Sequence, residues 1–263
     1  MVREADRRWE GSMPEVYDRC LGSAVFMPHA VDLATRARPL HSARVLELAA
    51  GTGIPSFQLK GTLPKASITA TDLNQAMVDY GSSRTKGVWQ QADAQKLPYK
   101  DDSFDLVICQ FGVMFFPDRR TAFREVARVL APGGRFLFNT WDTVEQNDFA
   151  AALVAGLSEA FPEDPPTFMD IPHGYADMDQ VTADLRAGGM QLDDGVTVIL
   201  TGHANSAAEL ATGFCQGTPL RMAIEARSDL DAATQVVTEE MTALLGEGRV
   251  DGALTALVVR ARG

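Results

Sequence analysis

Between Ala43 and Asp142 the chain alternates short apolar runs with stretches of helical period, and this narrows its fold more than any other feature. ARVLELA (43–49), ASITATD (66–72), VWQQAD (88–93), FDLVICQ (104–110) and GRFLFNTWD (134–142) read as strands. IPSFQLKGTL (54–63), NQAMVDYGSS (74–83) and DRRTAFREVARVL (118–130) read as helices. Strands joined through helices need crossover connections, which are right-handed and cover both faces of a parallel sheet. The expectation is a doubly wound α/β fold.

Beyond residue 142 the pattern loosens. NDFAAALVAGLSEAF (147–161) reads as a helix and FPEDPPTFMDIPHG (161–174) as a proline-rich loop. Asp177-Met178-Asp179-Gln180 opens a capped helix that Gly188-Gly189 can close. GVTVILTG (195–202) and ALTALVVRA (253–261) are late strands, separated by helical residues 206–246 broken at Gly217-Thr218-Pro219. One sheet is expected, mostly parallel with a final antiparallel strand, carrying a small helical cap. Residues 12–37 also read as helical, with capping-box spacing at Ser12-Met13-Pro14-Glu15 and a turn near Met27-Pro28.

Charge and cysteine usage exclude several classes of function. The net charge of −11 disfavours a nucleic-acid partner, whose affinity rests on Lys and Arg neutralising phosphates. Arg120, Arg124 and Arg128 form one local basic stripe, which reads as a solvated helix face or, alternatively, as a contact for tRNA or anionic headgroups. No run approaches the ~18 apolar residues of a membrane span. MVREADRRWEGS is charged and does not read as a secretory signal. Three scattered cysteines without a CxxC pair favour free thiols in the cytoplasm, and four scattered histidines give no metal constellation.

Gly51-Thr52-Gly53 ends the first strand and leads directly into a helix, where a tight backbone turn meets the free N–H groups of the helix start. A packing turn would look the same, so the flanking acids matter. Glu47 lies in a strand expected to be buried on both faces, where a carboxylate needs a partner. Asp72 ends the second strand, where a carboxylate can accept both hydroxyls of a ribose or cap the next helix. The dinucleotide fingerprint requires a third glycine, whereas this chain has Ser56 there, and its first strand is normally apolar at the position of Glu47. Both departures point away from a nicotinamide cofactor.

VLELAAGTG (45–53), ATDLNQAMV (70–78), QADAQKLPYKDDSFDLVICQFGVMFFPD (91–118) and EVARVLAPGGRFLFNTWD (125–142) resemble, in order, the motifs of class I S-adenosylmethionine (SAM)-dependent methyltransferases. The branch they resemble is that of the ubiquinone/menaquinone-biosynthesis enzymes, a Rossmann-like fold. GSMPEVYDRCLG (11–22), HGYAD (173–177) and FCQGTPLR (214–221) are similar to bacterial relatives in this branch. The resemblance implies that Glu47, Ala49, Gly51 and Gly53 hold the methionine end of SAM and that Asp72 takes the ribose. It places Leu73 on an adenine face, Met77 near the nucleoside, Asp93 on the adenine amino group and the Ala94 N–H on a ring nitrogen. Gln110 and Phe111 would flank the methionine moiety. Ala49 stands where the family usually has glycine. Tyr17 would lie on a lid, with helix packing as its other reading; residues 1–42 would be that lid segment and 43–263 the SAM-binding domain, with cap elements mainly within 143–177 and 203–250.

The implied function is methyl transfer to a small molecule by in-line displacement, leaving S-adenosylhomocysteine. A protein or tRNA methyltransferase and a non-catalytic SAM-binding protein are the alternatives. The DNA-type Asn/Asp-Pro-Pro-aromatic run is replaced by QFGVMFF (110–116), and the clustered acids of catechol-type enzymes are not evident. No metal is expected, the sequence names no catalytic residue, and a monomer and a homodimer are equally compatible with it. Candidate acceptor-side residues are Met114, Phe115 and Trp141 at strand ends, and His173 and Tyr175 in the loop after the proline run. Core packing is the competing fate of Met114 and Phe115, and a surface-loop role that of His173.

Overall fold

The computed structural model describes residues 9–263; the charged residues 1–8 of the N-terminal segment lie outside the described region. In chain order the elements are α1 (Met13–Tyr17), a π-helical stretch (Asp18–Phe26), α2 (Met27–Ala37), β1 (Arg44–Glu47), α3 (Ile54–Thr62), β2 (Ser67–Asp72), α4 (Gln75–Arg84), β3 (Val88–Gln91), β4 (Phe104–Gln110), α5 (Arg119–Val129) and β5 (Leu130–Trp141). There follow α6 (Asp148–Ala160), α7 (Met178–Ala187), β6 (Gln191–Ala204), α8 (Ala207–Gly217), α9 (Leu220–Glu225), α10 (Leu230–Leu245) and β7 (Val250–Arg262).

The chain forms two compact units. A sheet unit comprises His29–Trp141, Tyr175–Val198 and Ala256–Gly263. A helical unit comprises the residues up to Pro28, Asp142–Gly174 and Ile199–Thr255.

The sheet has seven strands in the order β3-β2-β1-β4-β5-β7-β6. The strands β1 to β5 pair in parallel, and β7 lies antiparallel to β5 with Phe136 opposite Ala261 and Trp141 opposite Ala256. This is the doubly wound, mostly parallel architecture expected from the alternation. On one face Leu33, Ala34 and Ala37 of α2 and Leu59 of α3 meet Val45, Ile68, Leu106, Ile108, Leu137 and Val258 of the strands. On α5, Phe123 packs its ring 5.8 Å from both Phe136 and Phe138. Each fully buried side chain of this size contributes roughly 1.5–3 kcal/mol. The register between β4 and β5 jumps from Phe104↔Leu130 to Leu106↔Arg135, so Ala131–Gly134 bulge out of the ladder.

Two local expectations are corrected. Ser12 makes no side-chain cap, so the capping box does not form. No turn occurs at Met27-Pro28, because the preceding stretch is π-helical and the Met27 N–H reaches back to the Gly22 carbonyl. Pro28 then lies at the start of α2, directly continuing the π-helical stretch. By contrast Asp177 caps α7 through the Asp179 N–H, as the sequence suggests.

In the helical unit, α8 closes on α1 and the π-helical stretch through two glycines. A Cβ on Gly213 would meet Leu21 at 2.6 Å, and one on Gly217 would meet the Tyr17 backbone nitrogen at 2.7 Å.

Candidate functional site

The parallel strands deliver the sequence-derived residues to their carboxyl ends, where open α/β sheets bind ligands. Glu47 is the last residue of β1, Asp72 of β2 and Gln110 of β4, and Asp93 follows β3 by two residues. The turn after β1 is anchored by three backbone bonds: Leu48 N to Ile108 O, Ala50 N to Thr71 O and Gly53 N to Ala50 O, all 2.9 Å.

That turn is strained where it faces the site. Ala49, Gly51 and Gly53 have φ of 50°, 54° and 86°. For the two glycines this conformation is cheap, but for Ala49 it costs on the order of 1–2 kcal/mol. A Cβ built on Gly51 would enter open space, so the loop leaves room above it. Ala49 is tolerated because the next element gives way. Its methyl lies 2.5 Å from where a Cβ on Gly112 would stand, so Gly112 supplies the missing volume.

Asp72 ties the turn to the second strand. One carboxylate oxygen accepts from Gly51 N at 2.9 Å and the other from Asn74 N at 2.8 Å. Asn74 Nδ2 adds a longer bond at 3.4 Å, so of a carboxylate's about four lone-pair positions one remains open to a ligand hydroxyl. Helix α4 starts at Gln75 with Asn74 as its N-cap residue, so Asp72 is not the helix cap itself. Burial raises the Asp72 carboxyl above its ordinary value, against the lowering effect of its bonds to Asn74 and Gly51.

Glu47 is fully buried. One of its oxygens accepts a short hydrogen bond from the Ser56 hydroxyl, while Oε1 has no partner. Loss of solvation pushes its carboxyl up to about 8, with Ser56 acting against that and the nearby Asp72 charge adding to it. The serine that breaks the dinucleotide fingerprint is thus the partner that the buried acid requires. Thr52 Oγ1, two residues ahead of α3, is likewise buried without a partner. Unpaired buried polar atoms are rare in folded proteins. Here they flank a roomy glycine turn at a helix start, which is what an amino-acid end bearing ammonium and carboxylate requires.

The remaining residues differ in setting. Leu73 is 38% exposed, and its carbonyl is held by Gln91 Nε2 at 2.8 Å. Met77 is buried in α4. Asp93 closes a short turn by accepting from Gln95 N at 2.8 Å, and Ala94 lies half-buried within it. Phe111 takes φ 52°, and its ring stacks on Trp141 at 3.6 Å and 7°. Its N–H goes to the backbone and the side-chain oxygen of Asn139, at 3.2 and 3.0 Å. His29 stands edge-on to both rings, 5.3 Å from Phe111 and 5.4 Å from Trp141. Sequence reading missed Asn139 and His29; a polar residue inside FLFNTW was the available signal for the first.

Met114 is wholly buried and Phe115 half-buried in a short 3-10 turn, Val113–Phe115. The Arg119 guanidinium fixes that turn by donating to the Val113 and Met114 carbonyls. The same guanidinium lies 4.0 Å over the Tyr175 ring. Tyr175 donates its hydroxyl to Asp184 at 3.2 Å, and burial raises its phenol well above the usual range. Its proton is committed to a buried carboxylate.

Tyr17 and His173 belong to the helical unit. Tyr17 sits between Trp9, edge-on at 5.1 Å, and Phe26 at 4.7 Å. His173 Nδ1 bonds the Asp142 carbonyl at 2.6 Å, so Nδ1 carries the proton and Nε2 the lone pair. Burial lowers the imidazole below its ordinary value, partly offset by the Asp142 bond. Asn147 braces the same corner, donating to the Asp142 and Thr143 carbonyls and accepting from Thr255 N at 2.9 Å.

Two of the three arginines of the basic stripe on α5 are engaged in ion pairs, while Arg124 is exposed. Arg120 pairs with Asp184 at 3.0 Å, and Arg128 pairs with Glu125 and Asp101 while holding the Leu97 and Tyr99 carbonyls. Among the described residues no three His, Cys, Asp or Glu side chains gather as a metal site, and no helix is long and apolar enough to cross a membrane.

Residues 46–138 match a family model described as "Methyltransferase domain". The chain is 39% identical over 110 residues to the ubiquinone/menaquinone biosynthesis C-methyltransferase UbiE of Bartonella tribocorum, covering 39% of this chain and 42% of that protein. It is 34% identical over 155 residues to the demethylmenaquinone methyltransferase of Mycobacterium bovis, covering 59% and 64%. The match therefore spans about two fifths of the first relative's length and under two thirds of the second's. A structure of Haemonchus contortus phosphoethanolamine N-methyltransferase 2, bound to phosphomonomethylethanolamine and S-adenosylhomocysteine, superposes with a TM-score of 0.59 at 16% identity, over 95% of this chain and 56% of that one. Residues 46–138 accordingly match a methyltransferase domain, are similar in sequence to the quinone-biosynthesis C-methyltransferases, and lie in a chain that shares the fold of the Haemonchus enzyme.

Proposed function

We propose that this protein binds SAM at the carboxyl ends of β1, β2 and β4 and transfers its methyl group to a small, largely apolar acceptor. The observation that carries this reading is the pairing of two differently prepared acids across one glycine turn. Asp72 keeps a lone pair for a ribose hydroxyl, and Glu47 keeps an oxygen for an ammonium. SAM, when bound, supplies a methyl group activated by its sulfonium. Asp72 would anchor the ribose, Leu73 an adenine face, and Glu47, Thr52 and the start of α3 the amino-acid end, with Asp93 and Ala94 reading the adenine edge. Phe111 and Gln110 would border the reacting end.

For such a displacement the protein's main contribution is to hold acceptor and methyl in line, worth on the order of 7 kcal/mol in favourable cases. The rigid Phe111–Trp141 stack and the Arg119-braced turn carrying Met114 and Phe115 are suited to that positioning. A small-molecule acceptor is further supported by the net charge of −11 and by the pairing of Arg120 and Arg128 with acids of this chain. Three free, buried cysteines fit a cytoplasmic setting. The test is calorimetry with S-adenosylhomocysteine and NAD, followed by methyl transfer from labelled SAM to a metabolite library. Binding of NAD in preference to S-adenosylhomocysteine would refute the cofactor; label entering only protein or RNA would refute the acceptor class.

A further inference from the structure

The sheet unit holds one acid that no structural role explains. Glu47 is fully buried at the end of β1, one oxygen held by Ser56 and the other facing no donor. The groups around it come from each adjoining element. Ser56 lies on α3; Thr71, on β2, donates to the Glu47 backbone carbonyl at 2.8 Å; Asp72, also on β2, adds a like charge; and Cys109 of β4 is a buried thiol. A carboxylate held only by the hydroxyl and backbone N–H of one serine, with a second acid nearby, is poorly held as an anion, because burial removes water without substituting a cation. As a neutral acid it costs less to bury: the carbonyl oxygen accepts from Ser56, and the proton sits on Oε1, which has no partner.

We propose that Glu47 and Ser56 form a proton-exchange site that selects an ammonium-bearing ligand, Glu47 being neutral in the free protein and surrendering its proton when the α-ammonium of the amino-acid end arrives at Oε1. This rests on the cofactor reading above. The balance is simple: the Oε1–H bond breaks, the proton leaves to solvent, and the resulting carboxylate faces the ligand's ammonium with no change in the ligand's covalent bonds. Ser56 is the positioning residue. Its hydroxyl fixes the carboxyl rotamer and, with its backbone N–H, steadies the anion before the ligand does. Cys109, buried and with its thiol raised far above neutrality by loss of solvation, stays protonated throughout. The raised Glu47 carboxyl accords with the same picture.

A ligand that carries the nucleoside and sulfur but no amino acid should leave the proton in place. The experiment is calorimetry on the full chain, titrated with S-adenosylhomocysteine and with 5′-methylthioadenosine in buffers of differing ionisation enthalpy. At pH 7 the first should release close to one proton and the second essentially none. The affinity for S-adenosylhomocysteine should rise about tenfold from pH 6 to pH 7 and level off above pH 8. Glu47→Gln should abolish the release, and Ser56→Ala should move its midpoint to higher pH. Binding of S-adenosylhomocysteine with no proton release overturns the exchange site while leaving the cofactor reading intact. Equal release with methylthioadenosine also overturns it, assigning the proton to Asp72. No binding of S-adenosylhomocysteine at any pH removes the cofactor reading, and the exchange site with it. If either variant fails to fold, the wild-type comparison of the two ligands decides alone.

Discussion

Replacing Asp72 by alanine separates what this acid does for the ligand from what it does for the fold. In the folded chain its carboxylate accepts Gly51 N at 2.9 Å and Asn74 N at 2.8 Å. Truncation leaves two backbone donors without acceptors, a cost of about 1–3 kcal/mol for each that water does not reach. Part of that is returned, since burial already disfavours the Asp72 charge. The net loss should be about 1–2 kcal/mol, a fall in Tm of roughly 3–8 °C for a domain this size. Binding should suffer more. A charge-assisted hydrogen bond to a ribose is worth about 1.5–3 kcal/mol, so its loss weakens S-adenosylhomocysteine at least about tenfold. Asp72→Asn keeps one oxygen for a backbone donor, so it should recover much of the stability and little of the affinity. Calorimetry gives the affinity and thermal unfolding the stability. A folded Asp72→Ala protein that binds S-adenosylhomocysteine as tightly as wild type would refute the ribose assignment.

Other outcomes follow from the geometry. Glu47 rises from the ordinary carboxylate range to about 8, so folding favours its protonated form; the free protein should be most stable below about pH 4.5 with respect to this group. Stability should then decline, by on the order of a few kcal/mol, as pH rises toward 8, and Glu47→Gln should flatten that slope in urea unfolding. Gly217→Ala should destabilise the helical unit by about 1–3 kcal/mol, because its Cβ would press on the Tyr17 backbone rather than on a movable side chain; unchanged thermal unfolding would contradict that packing. The His173 imidazole should remain neutral at pH 6.5 with its proton on Nδ1, a tautomer that nitrogen NMR distinguishes. Titration at or above the free-histidine value would contradict it.

The sheet was legible because its strands are apolar runs bounded by glycine and acid, a pattern that burial on both faces imposes directly. ARVLELA and FDLVICQ could be little else. The strand ends that build the site were legible for the same reason, since Glu47 and Asp72 stand out against an apolar background. What escaped is what depends on contacts distant in sequence or on backbone geometry. The π-helical stretch before Met27 has no side-chain signature, so Pro28 looked like a turn. Ser56 was visible only as a missing glycine, because its bond to Glu47 exists only after α3 folds back on β1. Asn139 reaches Phe111 across 28 residues, and Tyr175 reaches Asp184 across a loop and a helix. Such pairings are settled by the tertiary fold.

The strand order has a bearing on how the sheet is assembled. The strand β7 lies between β5 and β6, yet it is made after β6 and after three further helices. As the chain leaves the ribosome, β1 to β5 can zip together with the helices between them, but β6 has no neighbour in the sheet until β7 arrives. Until then the outer edge of β5, with Phe136 and Phe138, is bare, and Asp193 of β6 lacks Arg262, which it later holds at 2.6 Å. Nascent chains paused before residue 256 should therefore be the ones that chaperones capture, while those released after it should close the sheet in a single late step.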